Sequence, residues 1–264
     1  MKFYLILLAS LLGISKSASI EDLTNPNVIS TLTPNRTITD AFFVNDEIIP
    51  KFQIFDERFK AILGDNPSIY SIAKNDGIQF AHEAPVLRDD KVYFCSNAGT
   101  GGSDINTNNR ILTFNMNDIR DISSNVNITI NYEIPSNDIQ MTNGMAPYLD
   151  GKLIVSTEGR GETYGSGLFM YDPKNNKTTP ILTSYFGRPF NSLNDLTMYP
   201  SGDNGIILFT DSLYGYLQDF RPYPGLPEQI YSYNLNNGKL KAVADNFMHP
   251  NGIALSADNK VAYM

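Results

Sequence analysis

One glutamate and three asparagines, Glu83, Asn143, Asn194 and Asn251, recur along this chain at intervals of 60, 51 and 57 residues. Each is the second residue of a stretch that stacks on the others: HEAPVLRDDKVYFCSN from His82, TNGMAPYLDGKLIVSTEG from Thr142, LNDLTMYPSGDNGIILFTDS from Leu193 and PNGIALSADNKVAYM from Pro250. Gathered at one point, a carboxylate and amide oxygens form a hard, oxygen-only donor set, which favours Ca²⁺ or Mg²⁺ over Zn²⁺. Two His and one Cys in the whole chain are too few for a conventional zinc site. A hard cation so held polarises a carbonyl and stabilises the oxyanion formed when water attacks it, and a neighbouring carboxylate takes the proton from that water. Taken singly, each Asn-Gly or Asn-Asp pair is also an ordinary turn sequence.

The elements around these four residues decide whether they meet. Seven residues after each comes an aspartate, Asp90, Asp150 and Asp258, with a two-residue insertion moving it to Asp203 in the third copy. An apolar strand follows each time (KVYFCS, KLIVST, GIILFT, KVAYM), so every unit reads as strand, Asp/Gly turn, strand. IYSI from Ile69, ILTF from Ile111, LFMY from Leu168 and IYSY from Ile230 precede the four hairpins, and the last three lead into NMND, DPKNN and NLNNG turns. A period near 50 residues with about four strands per copy is the pattern of a β-propeller blade. In a propeller the innermost strands line one channel, so the four polar residues would converge at its mouth. A sandwich of irregular hairpins is the alternative, and it gives no reason for Glu or Asn at the same place in every copy.

Composition agrees with an all-β protein. The chain has 264 residues, 42% hydrophobic, with charged residues at only 18% and abundant turn formers. A formal charge of −8 with no basic stripe argues against nucleic-acid binding. MKFYLILLASLLGISKSAS, with Lys2, an apolar run from Phe3 to Ile14 and small residues at Ser15, Ser17, Ala18 and Ser19, reads as a secretory leader cleaved after Ser17 or Ala18. That expectation divides the chain into a leader over residues 1–18 and one domain over 19–264, with no membrane span. Three N-x-S/T acceptors, Asn35, Asn127 and Asn176, agree with an exported glycoprotein. Cys95, the only cysteine, lies in an apolar strand and reads as a small buried hydrophobe.

HEAPV with VYFCSN, the stretch FNSLNDLTMYPSGDNGIILFTDSLYGYLQDFRPYPGLPEQIYSY, and HPNGIALSADNKVAYM resemble the gluconolactonase/regucalcin-like family. FQIFDERFKAILGDNPSI leading into FAHEAPV is similar to its fungal secreted lactonohydrolases. The resemblance covers residues 52–264 and implies a six-bladed β-propeller with one divalent metal, usually Ca²⁺, at the channel mouth, and hydrolysis of sugar-acid or related lactones. It makes Glu83 the carboxylate ligand and Asn251 an amide-oxygen ligand, and puts Asn194 where metal or substrate is contacted. Asn143 takes the equivalent place in its own blade, toward the substrate. The family's Asp base belongs to the blade after PNG, beyond Met264, so four channel-lining strands are expected here out of six. A four-bladed ring or an assembly of two chains is the alternative; the oligomeric state is not fixed by the sequence.

The remaining motifs are less specific. His82 adjoins Glu83, but on a regular strand neighbours point to opposite faces, so a structural role competes with substrate contact. His249, before Pro250, reads as structural. Asp211 in LFTDS, with Tyr214 and Gly215 behind it, lines the substrate pocket or fixes a turn. Arg188 meets an acidic substrate or sits on the surface. No G-x-S-x-G is present, which disfavours the common serine hydrolases; GRGETYG (159–165) and RPYPGLPEQ (221–229) read as loops. Three function classes follow: a secreted Ca²⁺-dependent lactone hydrolase, a non-catalytic ligand-binding propeller, and an inactive fragment.

Overall fold

A computed structural model describes residues 16–17, 19–22, 43–44, 47–48, 51–54, 56–65, 68–69, 72–73, 80–96, 108–119, 128–133, 135–200 and 205–264. They fall into two compact units, one of residues 1–76 and 119–128 and one of residues 77–118 and 129–264. The leader expected at residues 1–18 lies, apart from Lys16–Ser17, outside the described residues, as do Asn35, Asn127 and Asp203. Among the described residues no helix is long and apolar enough to cross a membrane.

Among the described residues the first unit holds the short strands β1 (Lys16–Ser17), β2 (Ser19–Asp22), β3 (Phe43–Val44), β4 (Glu47–Ile48), β5 (Lys51–Ile54) and β6 (Ser68–Ile69). They pair as β1 with β6, β2 with β5 and β3 with β4. Helix α1 (Glu57–Leu63) follows β5; the Asp56 carboxylate accepts the Arg58 N–H at 2.8 Å and caps its first turn.

The second unit is built from antiparallel sheets laid down one after another. The first contains β7 (Val86–Arg88), β8 (Lys91–Cys95), β9 (Ile111–Asn115) and β10 (Asn131–Glu133); the second β11 (Thr142–Pro147), β12 (Leu153–Thr157), β13 (Gly167–Asp172) and β14 (Lys177–Leu182). A small ribbon of β15 (Ser184–Tyr185) and β16 (Arg188–Pro189) leads to the third, β17 (Leu193–Tyr199), β18 (Ile206–Asp211), β19 (Gln229–Asn234) and β20 (Leu240–Ala244). The hairpin β21 (Ala254–Leu255) and β22 (Ala262–Tyr263) opens another. Strand order follows chain order in each sheet, and β11 lies against β7, β17 against β11, and β21 against β17. These are three blades of a β-propeller and the inner hairpin of a fourth. The four expected hairpins are β7–β8, β11–β12, β17–β18 and β21–β22; ILTF, LFMY and IYSY supply β9, β13 and β19.

Burial on both faces explains the unbroken apolar runs. All five residues of β12 are buried. Leu153 and Val155 join Val86, Tyr93, Cys95, Ile111 and Phe169 in the core between the first and second blades. Ile154 points the other way, to Leu196, Met198, Ile207, Phe209 and Tyr231 in the core between the second and third. There Phe190 and Phe209 meet edge to face at 5.6 Å, and Phe209 stacks on Tyr231 at 5.5 Å. The turn aspartates earn their places by backbone conformation: Asp89 (φ 54°) and Asp150 (φ 55°) are left-handed, which Asp tolerates better than branched residues.

Candidate functional site

The innermost strands begin irregularly, and the irregularity falls on the recurring residues. Pairing of β11 with β12 skips from Thr142 to Met145, and that of β17 with β18 skips from Leu193 to Leu196. Asn143–Gly144 and Asn194–Asp195 therefore stand in bulges, which turn side chains out of the ladder. In the first blade, His82 N–H donates to the Cys95 carbonyl at 3.0 Å and Cys95 N–H donates to the Glu83 carbonyl at 2.8 Å, while Ala84 is left-handed at φ 57°. Regular pairing starts only at Val86.

Each bulge is fastened by a hydroxyl from the second strand of its own blade. Gly144 N–H donates to Ser156 Oγ at 2.7 Å, and Ser156 Oγ donates in turn to the Asn194 carbonyl of the next blade. One blade on, Asp195 N–H donates to Thr210 Oγ1 at 3.0 Å, and Thr210 Oγ1 donates to the Asn251 carbonyl at 2.9 Å. The same device thus carries the backbone of Asn194 and then Asn251 to the ends of the preceding blades. Asp195 adds a second tie, its Oδ2 accepting the Ile253 N–H at 2.9 Å.

Carboxylates crowd this end of the strands. Burial, then the charge of Asp195, pushes the Glu83 carboxyl up to about 7, with the Asn143 side chain drawing it back. Glu158, which follows β12, is 4% exposed; its Oε1 accepts from Asn143 Nδ2 and its Oε2 from Ser192 Oγ at 3.1 Å. Burial raises Glu158 to about 8, with Ser192 opposing and Glu83 adding to the rise. Asp195 is also raised, by burial. Among the described residues no lysine or arginine pairs with these three.

Other expected residues are placed as follows. His82 Nε2 lies 3.5 Å from Glu83 Oε1, so the two side chains share one side. The alternation expected from a regular strand does not apply, because residues 82–85 are not in one. Asn251 is exposed, its Nδ2 3.4 Å from the Tyr214 hydroxyl. Asp211 is a correction to the substrate-pocket reading. It is wholly buried, and its two oxygens accept the Ser192 and Asn191 N–H groups at 2.8 and 3.2 Å, which leaves it fixing the turn before Asn194. His249 is held by Glu228, whose Oε1 accepts from its backbone N–H and lies 3.0 Å from its Nδ1. Arg188 reaches the Gly225 carbonyl at 3.4 Å.

Glu158, Asp195, Ser156 and Thr210 were not singled out by the sequence. The usable signal was a hydroxyl or acid interrupting the end of an apolar strand, as in LIVSTE and LFTD.

The donor set suits a hard cation. Among the described residues no three His, Cys, Asp or Glu side chains gather around a point that an ion would fill. Any ion here would therefore draw on amide oxygens as well as on Glu83. Asn143 Oδ1 and Asn194 Oδ1 are both buried without a hydrogen-bond donor. A buried acceptor left without a partner is costly, and an ion would satisfy it.

The SMP-30/gluconolactonase/LRE-like region matches residues 89–264. A lactonohydrolase of Aspergillus oryzae is 31% identical over 213 residues, 78% of this chain and 44% of that protein. A gluconolactonase of Zymomonas mobilis is 30% identical over 126 residues, 47% of this chain and 33% of that one. The chain thus spans less than half the length of these relatives. A solved gluconolactonase of Xanthomonas campestris shares the fold with a TM-score of 0.52 at 21% identity, over 70% of this chain and 54% of its own. With its successive four-stranded blades and the family match over residues 89–264, this chain belongs to the SMP-30/gluconolactonase/LRE-like family.

Proposed function

We propose that the chain carries the binding end of an exported, Ca²⁺-dependent hydrolase that opens lactones of the sugar-acid type. The observation that carries this reading is the pair of buried, unpartnered oxygens, Asn143 Oδ1 and Asn194 Oδ1, at the strand ends that also bear Glu83. The names of the two relatives, a lactonohydrolase and a gluconolactonase, support the substrate class. Export rests on the leader-like residues 1–18 and on Asn176, an acceptor in the exposed turn after β13.

In the overall reaction water adds to the lactone carbonyl, the ring C–O bond breaks, and the proton from water ends on the former ring oxygen. Bound Ca²⁺ supplies polarisation of the carbonyl and neutralises charge on its oxygen. Glu83, Asn194 and Asn251 would hold it, with Asn143 Oδ1 as a further oxygen donor. Glu83 contributes the negative charge, and burial keeps that carboxylate poorly solvated, so it gains from a cation. Asn194 is presented by the Ser156 bond to its carbonyl, Asn251 by that of Thr210. His82 stands beside Glu83 to meet the substrate's polar groups.

The test is lactone opening by the full chain, followed with glucono-1,5-lactone and a simple aliphatic γ-lactone before and after EDTA. Turnover that collapses on chelation and returns with Ca²⁺ is expected. Turnover indifferent to EDTA would overturn the metal reading, and Ca²⁺ binding without turnover would leave a ligand-binding propeller.

A further inference from the structure

Glu158 is the buried acid with the most defined surroundings and no role in the ligand set above. Its Oε1 takes the amide N–H of Asn143, and its Oε2 takes the Ser192 hydroxyl at 3.1 Å. Ser192 Oγ in turn accepts the Gly215 N–H at 3.0 Å, and the Ser192 N–H is held by Asp211 at 2.8 Å. Glu158 therefore joins the second blade to the segment that leads, two residues later, into Asn194.

An asparagine amide has two ends of opposite character, and its neighbours decide which way it faces. A carboxylate only accepts, and the Asn143 NH₂ meets two of them, Glu158 and Glu83, so its Oδ1 must turn to the opposite side. That oxygen is buried and finds no donor there. The fold thus holds Asn143 in an orientation that leaves its acceptor unsatisfied, because the flipped amide would set that oxygen against carboxylates.

We propose that Glu158 is a positioning residue: it fixes the Asn143 amide with its oxygen presented to the site, and through Ser192 it fixes the approach to Asn194. This rests on the calcium reading only for what the presented oxygen faces. The orientation itself does not depend on it.

Glu158→Gln tests the orientation at nearly constant shape. Its amide can now donate to Asn143, which lets Asn143 flip against the remaining pull of Glu83 alone. Two readouts are made on the full chain: Ca²⁺ affinity by titration calorimetry, and solvent-exchange protection of the Asn143 side-chain NH₂ by ¹⁵N NMR. The expected result is a loss of Ca²⁺ affinity of at least about tenfold, the scale found when residues behind metal ligands are changed, with protection of the Asn143 NH₂ lost and the melting temperature not lowered. Asn143→Asp combined with Glu158→Gln exchanges donor and acceptor and re-forms that bond. Since the new aspartate also adds a charge beside Glu83, the double variant is compared with Asn143→Asp alone, over which its melting temperature should rise. Unchanged affinity and protection in Glu158→Gln would overturn the proposal, as would a double variant that melts no higher than Asn143→Asp alone. If the unaltered chain binds no Ca²⁺ but Glu158→Gln still loses NH₂ protection, the calcium reading fails and the positioning role stands.

Discussion

Gly144 shows how closely the site is fitted at the scale of one residue. A Cβ added there would lie 2.7 Å from Ser156 Oγ and 2.8 Å from both the Asn194 carbonyl oxygen and the Asp195 Cα. Two of these three atoms are backbone, so the neighbours cannot give way without moving the bulge of the next blade. Gly144→Ala should destabilise the chain by about 1–3 kcal/mol, the usual cost of overpacking, read as a lower urea midpoint. Gly165→Ala is the control, since nothing lies within 4 Å of its Cβ position; its midpoint should not move. At this scale the sequence was legible where a repeat fixed the register. Glu83, Asn143, Asn194 and Asn251 stand out because four copies hold a polar residue at one place. Glu158 was not legible, because its meaning lies in contacts 15 and 34 residues away, to Asn143 and Ser192. Asp211 stayed open between substrate pocket and turn because burial is not visible in a motif.

At the scale of the element, Ser156 and Thr210 are equivalent hydroxyls in the second strands of successive blades, each stitching its own bulge to the next innermost strand. Thr210→Val keeps the shape and removes both bonds. It leaves the Asp195 N–H and the Asn251 carbonyl without their partner, at a cost of about 1–3 kcal/mol. Hydrogen exchange should then quicken first at Ile253–Leu255, while amides of β11–β14 keep their protection. Equal loosening of every blade would sink the idea of a local stitch. The blades themselves were legible, because strands covered on both faces become apolar runs such as LIVST, and the turns between them need Asp or Gly. The bulges were not, since a skipped register leaves the same residues in the same order. The expectation that His82 and Glu83 point apart failed for that reason: it assumed a strand where the backbone turns at Ala84.

At the scale of the molecule, the gathering of acids gives the propeller unit a pH dependence of defined sign. Glu83 and Glu158 rise from 4.5 to about 7 and about 8, and Asp211 rises from 3.8 to about 7, each chiefly by burial. A carboxyl with a raised folded pKa binds its proton more tightly in the folded chain, so the folded state holds more protons than the unfolded one between the two values. These groups therefore favour folding most at acid pH, and their contribution is lost as pH climbs from about 5 through 8. The net charge of −8 works in the same direction, through repulsion over the surface. Salt separates the two, because it screens exposed charges and leaves buried ones largely untouched. Urea midpoints measured in EDTA should fall across this range even at high salt, and Glu158→Gln should flatten the fall. Adding Ca²⁺ should restore stability most at the alkaline end, where the carboxylates are already free of protons, and binding near neutral pH should release protons measurable as a buffer-dependent heat. A midpoint that stays level or rises with pH at high salt would mean that burial does not hold these carboxyls protonated, and the calcium reading would lose its electrostatic basis along with it.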